Sequence, residues 1–128
     1  MDRQRFGSSA PWEARVGYSR AVRVGNRIFV AGTTGLSPDG SAVGPNAYAQ
    51  AIRALEIIGE ALEEAGSGYN DVVRTRMYIT NIAQDGDAVG RAHREVFADI
   101  RPASTMVEVS ALIRPELLVE IEVEAVVA

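Results

Sequence analysis

Residues 119–125 read Val-Glu-Ile-Glu-Val-Glu-Ala, and this pattern limits the fold more than any other in the chain. Val119, Ile121, Val123 and Ala125 alternate with Glu120, Glu122 and Glu124. A strand points successive side chains to opposite faces, so the acids share one face of a sheet and the apolar groups the other. The apolar face needs a covering layer. The acidic face needs water or fixed positive partners. Residues 101–124 as a whole read as two strands joined by a short turn containing Pro115.

The rest of the chain supplies that layer. Residues 46–65 read as a helix. Asn46 is placed to cap it, Ala51, Ile52, Leu55, Ile58, Leu62 and Ala65 form one apolar face, and Gly66 is placed to end it. Residues 85–100 read as a second, less apolar helix stopped by Pro102. Strands are expected at 18–24 and 27–33, around the turn Gly25-Asn26, and at 72–80. Residues 3–12 are polar, with room for a short edge strand. The order β-β-β-α-β-α-β-β predicts an α+β fold: a single mixed β-sheet with two helices on one face.

On that reading the uncovered face carries Arg74, Arg76 and Tyr78, then Met106 and Glu108, then the three glutamates. The helix face receives Val73, Thr75, Met77, Ile79, Val107, Val109 and the apolar set of the last strand. Arginines and glutamates on neighbouring strands can pair across a sheet. A row of this kind is either a solvated face or a subunit interface.

At 128 residues the chain reads as a single domain spanning 1–128. The net charge of −4 argues against general nucleic-acid binding. The absence of cysteine excludes disulfides, thiolate metal sites and a cysteine nucleophile, and a single histidine makes a zinc site a poor expectation. No stretch reads as a membrane span or as an apolar secretion signal, so a cytoplasmic protein without a membrane partner is expected.

Several segments together resemble the RidA (YjgF/UK114, L-PSP) family: VGYSRAVRVGNRIFVAGTTG, a helix ending EEAG, DVVRTRMYIT, PASTMVEVSAL and LVEIEVEA. The resemblance runs from Tyr18 to Ala125. It implies a chorismate-mutase-like fold and a homotrimer, with sheets closed around a common axis and ligand clefts between subunits. It also implies hydrolysis of reactive enamines and imines to a 2-oxo acid and ammonia, with no metal and no organic cofactor. The expected partners are therefore further copies of the chain and a small carboxylate- or carbonyl-bearing metabolite.

Residue by residue, the resemblance makes Glu120 the group that positions the attacking water; the alternative is a wall charge paired with an arginine. Tyr18, Ala31 and Gly32 match ligand-facing positions, and Thr105 keeps a family hydroxyl. Met106 stands where a small residue is often found, and Arg91 where some members carry asparagine. The family's deaminases place an arginine two residues after the proline of their Pro-Ala-Arg-Ser element. Here that position is Ser104. A hydroxyl bonds a carboxylate without charge, so this departure favours a second reading, a ligand-binding trimer without catalysis. Arg74, Arg76, Arg91 and Arg101 are candidates to replace the missing cation. An endoribonuclease or translation inhibitor is the weakest reading. His93 is expected on a helix surface, and Trp12 either covers a cleft or shields a sheet edge.

Overall fold

The sheet has six strands in the spatial order β1-β2-β3-β6-β4-β5 in a computed structural model, which describes residues 2–128. The strands are β1 (Arg3–Phe6), β2 (Ala21–Val24), β3 (Arg27–Thr34), β4 (Val72–Ile79), β5 (Ala103–Glu108) and β6 (Val119–Val126). All neighbours are antiparallel except β4 and β5, which run parallel. Helices α1 (Ala47–Glu64) and α2 (Ile82–Phe97) pack on one face. The α+β expectation holds, with β1 as the short edge strand.

Helix α1 begins where a side chain replaces the missing backbone acceptor: Asn46 Oδ1 accepts from Ala49 N–H at 2.8 Å. It ends at Gly66, whose φ of +84° is open to a residue without Cβ. Its apolar stripe, including Ala51, Leu55, Ile58 and Leu62, is fully buried against Ile121, Val123 and Ile28. Buried Gln50 fixes the entry to β6: its Oε1 accepts from Leu118 N–H at 2.8 Å and its amide donates to Glu116 O at 3.0 Å. Helix α2 starts three residues before the expected position, because Asn81 Oδ1 caps it through Gln84 N–H at 3.1 Å.

The alternation in β6 is realised, with four buried apolar residues and half-exposed glutamates between them. Two face assignments need correction. Val73 was expected against the helices and is 46% exposed. The pairing of β4 with β6 slips between Val72 and Arg74, so Val73 is an extra residue and Val72 takes the buried place. The second correction is in β5. In its parallel register Met106 sits beside helix-facing Met77 and Glu108 beside Ile79, so both lie on the helix side and Val107 on the open side. Met106 packs under α2, where Gly86 and Gly90 leave room for its thioether. An edge strand with mixed polarity on both faces carries too weak an alternation to fix its phase.

The two C-terminal strands are also not a hairpin. Strand β4 lies between β5 and β6, and residues 109–118 cross over it. On the open face the expected ladder is present: Arg74 pairs with Glu124 at 3.7 Å, and Arg76 reaches Glu122 and Glu124 at 3.6 Å each. Tyr78 donates its hydroxyl to Glu122. No helix among the described residues is long and apolar enough to cross a membrane.

Candidate functional site

A cavity of about 570 Å³ opens where β3 leaves its pairing with β6. The register slips between Val30 and Thr33, so Ala31 and Gly32 bulge out of the ladder. Glu120 of β6 fills the space beside them. A Cβ on Gly32 would fall on the Glu120 carboxylate, so only glycine permits this approach. The 2–18 segment forms the opposite wall with Ser8, Trp12 and Tyr18, tightened by a single π-type turn over Glu13–Gly17. Burial pushes the Glu120 carboxyl above the ordinary carboxylate range. The Arg20 guanidinium opposes that rise, and the neighbouring Glu122 adds to it.

Arg20 also lines this cavity and is not among the residues expected from the sequence. It is 4% exposed and spends its donors on the bulge: Nη1 bonds Gly32 O and Thr33 Oγ1, each at 2.7 Å. Its Nε reaches Glu13 at 3.4 Å, and its Nη2 reaches Tyr18 Oη at 3.4 Å. The signal was the spacing Tyr18-Ser19-Arg20: two residues apart in extended chain share a side. Thus a cation does stand beside Glu120, but it is none of the four proposed.

Those four have other occupations. Arg74 and Arg76 belong to the glutamate ladder. Arg91 stacks its guanidinium 4.3 Å from the centre of the Tyr48 ring, joining α2 to α1. Arg101 is exposed, in the turn before β5 with φ of +56°. Trp12 lines the cavity and lies under Arg114, 5.3 Å from its guanidinium carbon.

Ser104, Thr105 and Met106 lie elsewhere. Within one chain three strand spacings separate β5 from β3, about 14 Å. Tyr18, Ala31, Gly32 and Glu120 therefore form one group, and Ser104, Met106 and Arg91 lie toward the far edge. Thr105 pairs with Arg76 and so faces the open side, opposite to Ser104. His93 corrects another expectation. It is half-buried, not a surface histidine, with Nε2 2.8 Å from Thr75 Oγ1 and its ring 4.7 Å from that of Phe97. Burial holds its pKa below the ordinary histidine value.

The endoribonuclease L-PSP family model matches residues 7–127. This chain belongs to the RidA/YjgF family. A crystal structure of a YjgF/YER057c/UK114 family member from Mycobacterium tuberculosis superposes with a TM-score of 0.90 at 48% identity, covering 98% of this chain and all of that one. A putative endoribonuclease from Thermotoga maritima gives 0.87 at 34% identity, covering 98% of each chain. Among curated relatives, the 2-iminobutanoate/2-iminopropanoate deaminase of mouse is 32% identical over 85% of this chain and 78% of its own. An uncharacterised Streptomyces coelicolor protein is 41% identical over 95% of this chain and 90% of its own. The family and the fold expected from the sequence both stand.

Proposed function

We propose that the chain is an imine and enamine hydrolase whose complete site forms where copies of it meet as a homotrimer. The observation that carries this reading is Glu120: a partly buried carboxyl with a raised pKa, facing a cavity beside Tyr18 and Gly32. A carboxyl whose pKa is raised holds a proton more readily than an exposed one, which suits it to take a proton and pass it on. In the proposed reaction Glu120 takes a proton from water, whose oxygen adds to the imine carbon. Glu120 passes that proton to the nitrogen, giving a carbinolamine, and the hydroxyl proton then moves through Glu120 to the same nitrogen as the C–N bond breaks and the C=O bond forms. One water and one imine thus give one 2-oxo compound and one ammonia. Deaminases among the relatives support the same chemistry.

The trimer is supported by the division of the site residues between two parts of the sheet. A neighbour's β5 edge laid against the Glu120 cavity would bring Ser104 to the ligand. The open face also exposes Phe29 at 43% and Val107 at 40%, apolar groups that gain from being covered.

The test is release of 2-oxo acid from freshly generated 2-iminopropanoate and 2-iminobutanoate, in wild type and in Glu120→Gln. The reading expects a rate above the buffer reaction that falls at least a hundredfold in the variant, within the usual range for a general acid–base group. A wild-type rate equal to buffer overturns it. Ser104 favours one alternative, a binding protein without turnover, for which a ligand would raise the melting temperature with no product formed. An RNA-cleaving role is disfavoured by the cavity's charges, since Glu60, Glu64 and Glu120 outnumber Arg20 and Arg53.

A further inference from the structure

The sole histidine is wired to the position that distinguishes this chain from the deaminases it resembles. Thr75 Oγ1 lies 2.8 Å from His93 Nε2 and 2.8 Å from Ser104 Oγ. Thr75 is completely buried, Ser104 is exposed at the sheet edge, and His93 lies between solvent and core. Three elements meet to build this line: β4 gives Thr75, parallel β5 gives Ser104 in register beside it, and α2 lays His93 across both.

Hydroxyls donate one proton each, so such a line has a direction. When His93 carries a proton on Nε2, it donates to Thr75, Thr75 donates to Ser104, and the Ser104 proton is free to point outward. When Nε2 is bare, Thr75 must donate inward to it, Ser104 donates to Thr75, and only lone pairs face outward. The imidazole thus sets whether Ser104 presents a donor or an acceptor.

We propose that His93 and Thr75 are positioning residues that turn the Ser104 hydroxyl outward as a donor to the carboxylate of the ligand, in place of a fixed arginine. The inference rests on the hydrolase reading for the ligand's class, a 2-oxo or 2-imino acid. The line itself is independent of that reading. No covalent step is involved. A ligand carboxylate accepts from Ser104 and in doing so selects the form of His93 that is protonated on Nε2. The groups packed on the imidazole, Thr75, Ser104 beyond it and Phe97, are uncharged, and burial is the only cause of its lowered pKa. The proton's position therefore answers chiefly to the hydroxyl line.

The sequence makes the test unusually direct, because it holds one histidine and one tryptophan. Pyruvate serves as the probe, with Trp12 fluorescence reporting occupancy of the cavity and long-range ¹H–¹⁵N NMR reporting which nitrogen of His93 is protonated. The expected result is saturable quenching of Trp12 together with a shift of the Nε2 signal toward its protonated position. Thr75→Val, which keeps the shape of the buried side chain, abolishes the Nε2 shift and weakens binding about threefold to tenfold, the worth of one hydrogen bond. Ser104→Ala does the same. Trp12 responding while His93 stays unmoved overturns the relay and leaves the hydrolase reading intact. Neither signal responding at saturating pyruvate overturns the relay and the carboxylate class together.

Discussion

Gly32 lies flush against the carboxylate of Glu120: a Cβ built on residue 32 would stand 2.9 Å from Glu120 Cδ, closer than such atoms approach. The glycine and the acid are therefore one device. The bulge in β3 makes room for a carboxyl that β6 directs into a partly buried corner, and that burial raises its pKa.

Gly32→Ala should evict that carboxyl. The obstructing atoms are the mobile end of a side chain that can swing aside, so the cost to stability is small beside that of overpacking a rigid core. Imine hydrolysis should fall by at least tenfold while the chain still folds, as followed by thermal denaturation and the 2-oxo acid assay. Unchanged turnover would separate Glu120 from the reaction.

The raised pKa of Glu120 has a consequence for stability. The folded state holds this proton more tightly than the unfolded state, where a glutamate carboxyl titrates near 4.5. The contribution is therefore favourable at low pH and is lost as pH rises through the folded value. Glu120→Gln never ionises, so its stability relative to wild type should grow across that rise and vanish below about pH 4.5. Urea denaturation at a series of pH values measures the difference.

Arg20→Ala should be among the most damaging single changes. It strands Gly32 O, removes the donor to Thr33 Oγ1, and leaves Glu13 without its cation, held by Ser8 alone. Breaking a buried charge network by removing one member costs about 3–5 kcal/mol. The loss should appear as a lower denaturation midpoint. It should also raise the Glu120 pKa further, because Arg20 is the influence that lowers it.

The sequence displayed the frame of this fold well. Strict alternation in residues 119–125 and the stripe of residues 46–65 are strong because each element is half buried along its whole length. The phase of β5 was not legible, since an edge strand buries too little for one face to read as apolar. The bulges at Val73 and at Ala31-Gly32 were hidden for a related reason: one extra residue reverses every later side chain, and no local residue type announces it. Glu120, Tyr18 and Gly32 were found through the family resemblance and do meet at one cavity. Arg20 is not legible in the sequence because it stands outside the charge rows, buried alone just before a strand. The link from Ser104 to His93 needs the parallel pairing of β4 and β5, a long-range fact that spacing along the chain does not contain.

The glutamate–arginine ladder offers a separate handle on assembly. Arg76 is 38% exposed and its partners are similarly open, so within one chain its ion pairs are worth about 1 kcal/mol at most. Arg76→Glu places like charges beside Glu122 and Glu124. If copies close their open faces together, the variant should dissociate in sedimentation while its helical circular dichroism stays near that of wild type.

The division of the site between two parts of one chain makes association the hinge of the whole account. Light scattering at working concentration measures it in a single experiment. The account predicts a particle three times the mass of the 13.7 kDa chain. A lone particle of 13.7 kDa would contradict it, because Ser104 and Glu120 would then never face the same ligand.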